Sequence, residues 1–140
     1  MNIYITRHGQ TDWNLAKKLQ GRSDIPLNEN GIAQARQTFL GLKKSGISFD
    51  RVYSSPLLRA EKTAEIISGF SGEKIIKDSR IIEFSFGSAE GRTLGEINGL
   101  SSLEWIRNFF TNPEKYKPEI GAETFESVLS RTQDFWESEI

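Results

Sequence analysis

Asn2-Ile3-Tyr4-Ile5-Thr6-Arg7-His8-Gly9-Gln10 is the stretch on which the reading of this chain turns. Asn2 to Thr6 is short, apolar and rich in β-branched residues, which predicts a buried strand. The strand runs into Arg7-His8-Gly9-Gln10, a polar turn. Further along, Asn28 suits a helix N-cap. Ile32, Ala35, Phe39 and Leu42 follow at helical spacing, with Gly46 as the stop. Arg51 to Ser54 predicts a second strand. Ser55-Pro56 reads as an N-cap followed by proline at the first helical position, opening a helix whose buried face carries Leu57, Ala60, Ala64 and Ile67. Lys74 to Lys77 predicts a third strand. Residues 79–100 are glycine-rich and mixed, predicting a loop with a short helix near Leu94. Leu103, Ile106 and Phe110 predict a helix ended by Asn112-Pro113. Phe125, Val128, Leu129, Thr132, Phe135 and Trp136 predict a last one.

Strands alternating with helices imply a three-layer α/β/α fold with a mainly parallel sheet. Ligands of such sheets bind beyond the carboxyl ends of the strands. Arg7-His8 and Ser54-Ser55 both lie just past a strand's carboxyl end, so chemistry and architecture point to one place.

Composition narrows the classes. A length of 140 residues fits one domain, 1–140. Hydrophobic residues at 36% and charged residues at 26% are ordinary for a globular protein. A net charge of -1 leaves no basic stripe for nucleic acid. No apolar run approaches the ~20 residues that cross a bilayer, and no secretory signal is evident. The chain has no cysteine and one histidine. That removes disulfides and thiolate sites, disfavours a zinc centre and suits a reducing cytoplasm, where the protein is expected.

The single histidine sits between an arginine and a glycine at a strand end. A neutral imidazole can attack phosphorus, and an adjacent guanidinium can hold phosphoryl oxygens in a bidentate way. Gly9 lets backbone approach closely. Arg59 falls in the first turn of a helix whose N-terminus suits an anion. Phosphoryl transfer is mostly positioning and charge neutralisation, so two arginines and a helix end are fitting parts. Glu83, in a glycine-containing loop after the third strand, is a candidate acid for the leaving alcohol. Each residue also has a plainer reading. A lone histidine is more often structural, and arginines usually form surface ion pairs. Glu83 could be a solvated loop carboxylate, and Asn14 and Gln20 loop hydrogen-bonders. Trp13 and Trp105 read as packing residues, and Lys17-Lys18 and Lys43-Lys44 as solvated faces.

The order and spacing of these residues settle between the readings. Thr6-Arg7-His8-Gly9-Gln10-Thr11 with Trp13-Asn14 is followed by Gln20-Gly21, Asp24, Pro26-Leu27, Gly31 and Gln34-Ala35. Tyr53-Ser54-Ser55-Pro56-Leu57 follows, with Arg59-Ala60 and Thr63-Ala64. Then come Glu83, Phe86-Gly87 and Glu90-Gly91, and a looser Gly121-Ala122-Glu123-Thr124 leading to Arg131. The chain resembles the histidine phosphatase superfamily, also called phosphoglycerate mutase-like, over nearly its whole length. The resemblance implies that His8 is the nucleophile and that Arg7 and Arg59 clamp the phosphoryl group. It also implies that Asn14 and Gln20, beside Gly9, contact substrate, and that Glu83 is the general acid and then the base. It implies a phosphomonoester substrate, with neither metal nor organic cofactor.

Mutases of the family resemble a pattern with arginine after the catalytic glutamate. Here Phe84 follows Glu83, so the short phosphatase branch fits better, with a mutase-type phosphotransferase as the alternative. Ala89 stands where many relatives have tryptophan, a change in loop packing. The family pattern also needs a second histidine, in a Ser-His-Gly run beyond the last helix, on a strand lying between the first two. The expectation is therefore a chain truncated before that strand. Losing one charge-stabilising donor costs roughly 10²- to 10³-fold in rate. Two unpaired strand edges predict weak stability or a homodimer that covers them. A phosphate-binding domain without turnover is a second reading. An ordinary nucleotide-binding domain is disfavoured, because no G-x-G-x-x-G or P-loop follows a strand.

Overall fold

A computed structural model describes residues 2–140. They fall into two compact units, residues 2–12 with 25–79 and residues 13–24 with 80–140. The short helix α1 (Asp12–Leu15) spans the first passage from one to the other.

The first unit is α/β. Helix α2 (Glu29–Lys44) starts where its N-cap chemistry places it: the Asn28 side chain accepts from the Gly31 N–H at 2.9 Å. Its last turn closes at Lys44, and Gly46 follows at φ +69, a conformation that costs glycine little. Strand β1 (Val52–Ser54) pairs in parallel with β2 (Ile75–Lys77), Val52 opposite Ile75 and Ser54 opposite Lys77. The crossover between them is α3 (Leu58–Ser68), which packs on both strands and against α2. The helix ends at Gly69, whose left-handed conformation lets its N–H reach the Glu65 carbonyl.

Three expectations change here. Asn2 to Thr6 forms no strand: the sheet holds only β1 and β2, and Ile3, Tyr4 and Ile5 are 44%, 52% and 89% exposed. An apolar, β-branched run becomes a buried strand only when another strand pairs with it, and none of the described residues does so. The helix after β1 begins at Leu58 and not at Pro56. Ser55 Oγ closes a local turn by accepting from the Leu57 N–H at 3.4 Å, so the helix starts from Leu57 without a side-chain cap. On α3 the deepest positions are Arg59 and Thr63, at 1% and 3% exposure, while Ala60 and Ala64 are only half-buried.

The second unit is helical. Helices α4 (Leu94–Gly99), α5 (Glu104–Thr111) and α6 (Phe125–Glu139) surround one apolar cluster. Its buried members are Phe84, Phe86, Ala89, Ile97, Leu103 and Ile106, with Phe109, Tyr116 and Phe125 packed alongside. The α4 start is a capping box: Thr93 accepts from the Glu96 N–H, and Glu96 accepts from the Thr93 N–H at 2.8 Å. That contact first, and the Thr93 hydroxyl second, hold the Glu96 carboxyl below its usual range. The helix predicted from Leu103, Ile106 and Phe110 buries the first two, but Phe109 turns inward and Phe110 is half exposed. On α6, Phe135 is buried while Leu129 and Trp136 lie open. Ala89 is fully buried, which fits its expected role in loop packing. Among the described residues no helix is long and apolar enough to cross a membrane.

Candidate active site

The first unit carries Arg7, His8, Gly9 and Arg59. His8 is half-buried, and its Nδ1 lies 2.7 Å from the Gly9 carbonyl oxygen. A carbonyl can only accept, so Nδ1 carries the proton in this contact, and in the neutral ring the lone pair is then on Nε2. The ring is thereby held in the tautomer that a nucleophile uses. Next along the chain, the Gly9 N–H donates to Thr63 Oγ1 at 3.1 Å, and Thr63 Oγ1 donates to the Arg59 carbonyl at 2.7 Å. Arg59 and Thr63 are one helical turn apart on the buried face of α3. One threonine hydroxyl therefore ties the His8-Gly9 loop to the helix turn that carries Arg59. A guanidinium as deep as that of Arg59 is costly unless hydrogen bonds and a counter-charge offset it. Arg7 is exposed.

Gly9 has a packing duty of its own. A Cβ at this position would sit 2.5 Å from the Gly31 carbonyl oxygen. The two glycines bring the first turn of α2 against the 9–10 backbone, and a Cβ on Gly31 would collide with the Gln10 carbonyl oxygen. Gln10 is fixed further: its N–H donates to Gln34 Oε1 at 3.0 Å, and its side-chain oxygen accepts from the Asn28 and Asn30 amides. Gly31→Ala is expected to lower stability by about 1–2 kcal/mol, because overpacking outweighs the gain in helix propensity. A urea midpoint equal to that of the parent chain would contradict the contact.

The second unit carries Asn14, Gln20 and Glu83. Asn14 lies in α1, its carbonyl accepting from the Lys17 N–H at 3.1 Å. Gln20 is buried at 8% exposure, and its carbonyl accepts from the Ser23 N–H. Glu83 is exposed, and its Oε1 accepts from the Phe84 N–H at 2.8 Å. Phe84 itself is buried and packs at tilted and edge-on angles among Phe86, Phe109, Tyr116 and Phe125, so it anchors the Glu83 loop.

Two further carboxylates organise this unit. Glu90 accepts from the N–H groups of Arg22, Ser23 and Phe86 and from the Ser23 hydroxyl, at 2.6 to 3.1 Å. It thereby ties the 20–23 loop to the 86–90 turn. Gly21, at φ +54, leaves room for that side chain. Glu123 is 9% exposed and accepts both Arg131 Nε and Nη2, at 2.8 and 3.0 Å, the Ser127 hydroxyl at 3.0 Å and Arg22 Nη2 at 3.0 Å. Burial alone would raise its pKa. The Arg131 and Ser127 hydrogen bonds and the two positive charges outweigh burial and hold the carboxyl below the usual range. Tyr116 donates to the Glu123 carbonyl at 2.9 Å. Its phenol is pushed up to about 12, by burial first and by the Glu123 charge second.

A cleft of about 330 Å³ opens in this unit, lined by Arg22, Ser85, Glu123, Thr124 and Ser127. Arg22 is not marked by the sequence, and Thr63 and Glu90 stand there only as positions of the resemblance with no role attached, since the groups they meet in these contacts lie 54 to 68 positions away. Among the described residues no group of three or more His, Asp or Glu side chains is arranged to hold a metal ion.

Comparison with known proteins bears on the chain as a whole. The model of the histidine phosphatase superfamily (branch 1) matches residues 3–140. The Bacillus subtilis protein named "Uncharacterized phosphatase PhoE" is 45% identical over 94 residues, which is 67% of this chain and 48% of that protein. The Serratia proteamaculans protein named "Probable phosphoglycerate mutase GpmB" is 39% identical over 69% of this chain and 44% of its own length. The chain thus spans about half the length of the curated relatives it matches. Among solved structures, Bacillus stearothermophilus YhfR superposes with a TM-score of 0.82 at 33% identity, over 95% of this chain and 64% of that one. A phosphoserine phosphatase from Entamoeba histolytica, solved with 3-phosphoglyceric acid, gives 0.73 at 32% identity, over 92% and 61%.

Proposed function

The chain belongs to the histidine phosphatase superfamily, and from that premise we propose that it is a phosphomonoester hydrolase working through a phosphohistidine on His8. One observation carries the reading: the Nδ1 contact with the Gly9 carbonyl, which leaves the lone pair on Nε2. In the first step Nε2 attacks phosphorus, the bond to the ester oxygen breaks, and Glu83 gives that oxygen its proton. In the second, water attacks the phosphorus, Glu83 takes the water's proton, and the P–N bond breaks to release phosphate. Arg7 and Arg59 neutralise the equatorial oxygens, and Asn14, Gln20 and Gly9 contact the substrate.

Phosphotransfer between two positions of one substrate is the second reading, favoured by the likeness to a protein named as a mutase. Phe84 weighs against it: the residue after Glu83 is packed in an aromatic cluster and offers no cation to a second acidic group. The absence of cysteine suits a reducing cytoplasm, where this reading places the protein. The test is a panel of phosphomonoesters assayed for inorganic phosphate. Release from simple aryl and alkyl esters is expected. Isomerisation of a phosphoglycerate with no phosphate released would replace the hydrolase reading with the mutase one.

A further inference from the structure

We propose that Arg22 is a positioning residue for Glu83, fixing the loop from which that acid acts. The inference rests on the role of Glu83 in the proposed hydrolysis. The Arg22 guanidinium forks: Nε donates to the Glu83 carbonyl at 3.1 Å, and Nη2 meets the Glu123 carboxylate at 3.0 Å. Its own N–H donates to Glu90 at 2.9 Å. One residue therefore ties the 20–23 loop to the acid's backbone, to the 86–90 turn and to the head of α6.

The rest of the Glu83 loop is held by different means. Phe84 and Phe86 sink into the apolar cluster. The Ser85 hydroxyl donates to the Gly121 carbonyl at 2.6 Å, and the Glu123 N–H donates to the Ser85 carbonyl at 2.9 Å. These contacts secure residues 84–86. Residue 83 itself is exposed, and the Arg22 Nε contact is what secures its carbonyl. Arg22 is not an ordinary surface ion pair. Its acceptor on Glu123 is 7% exposed and already fixed by Arg131, so the fork has a rigid base. Such a planar fork is specific to arginine, because an ammonium can keep the charge but not both directions at once. A general acid works only from a fixed position, and a displacement of about 1 Å costs about 10²-fold.

The consequence depends on the leaving group. An alkyl ester needs its oxygen protonated as the P–O bond breaks, and p-nitrophenyl phosphate hardly does. The test compares the parent chain with Arg22→Met and Arg22→Lys, each confirmed as folded by thermal melting. Both variants are expected to lose about 10²-fold in kcat/KM on an alkyl phosphate and to stay within about threefold in kcat/KM on p-nitrophenyl phosphate, because that ratio covers only the steps up to loss of the leaving group, before Glu83 acts as base. A readout independent of turnover is amide exchange at Phe84, whose N–H donates to the Glu83 carboxylate. It is expected to quicken about tenfold in both variants. Equal losses on the two esters, recovery by Arg22→Lys, or unchanged Phe84 exchange would each overturn the proposal. A parent chain that hydrolyses neither ester would instead overturn the hydrolase reading on which the proposal rests.

Discussion

His8→Gln is expected to abolish phosphoryl transfer and leave the fold intact. Rapid quenching of the parent chain with a phosphomonoester should trap a phosphoryl group that is stable in base and labile in acid. Glutamine should trap none, and turnover should fall by roughly 10⁴-fold or more, the scale seen when a nucleophile is removed. The substitution is chosen for what it keeps. The glutamine amide can still donate to the Gly9 carbonyl, as Nδ1 does at 2.7 Å. The Gly9 N–H keeps Thr63, so the link to the Arg59 turn survives. What is lost is the lone pair on Nε2, since an amide nitrogen has no comparable nucleophilicity. Stability should therefore stay within about 1 kcal/mol of the parent. A variant that is equally folded and still traps phosphate would show that the phosphoryl acceptor is another residue.

The contrast between His8 and the residues around it shows where sequence is informative. The His8 motif, the Asn28 cap and the short helix near Leu94 are local: a few adjacent residues contain both donor and acceptor, so their chemistry can be read along the chain. The burial of Asn2 to Thr6 is not local. Its apolar alternation is compatible with a strand, but a strand needs a partner, and none of the described residues pairs with it. The face of α3 is legible only in part, with Leu57 and Ile67 buried as expected. Apolar spacing put Ala60 and Ala64 inward, yet Arg59 and Thr63 are deeper, because a hydroxyl contact to Gly9, 54 residues away, outweighs two small methyl groups. The contacts of Glu90 and Arg22 are likewise legible only once loops distant in sequence have met. Glu83 lies between these cases. Its type and loop are readable, but its fixation depends on residues that no spacing rule links to it.

The Glu123 carboxylate is where the largest loss of stability is expected. Glu123→Gln keeps the shape but removes the negative charge that faces Arg131 on two nitrogens and Arg22 on a third. Arg131 is largely buried, its side chain 15% exposed, so the variant leaves a guanidinium with little water and no counter-charge from this position. Breaking one side of such a buried pair costs about 3–5 kcal/mol. Arg22 is partly exposed and can be resolvated, which places the expected loss near the lower end, about 3 kcal/mol, or roughly 10 °C in Tm. The pH dependence separates this account from a simple packing defect. The folded state holds the Glu123 carboxyl below its unfolded value of 4.5, so below that value the unfolded chain binds the proton more readily. The stabilisation is complete above pH 4.5 and drains away as pH falls from there through the lowered folded value. Urea unfolding of parent and variant should therefore differ most at neutral pH and converge in acid. A gap that stays constant down to low pH would mean that Glu123 contributes by packing and not by charge.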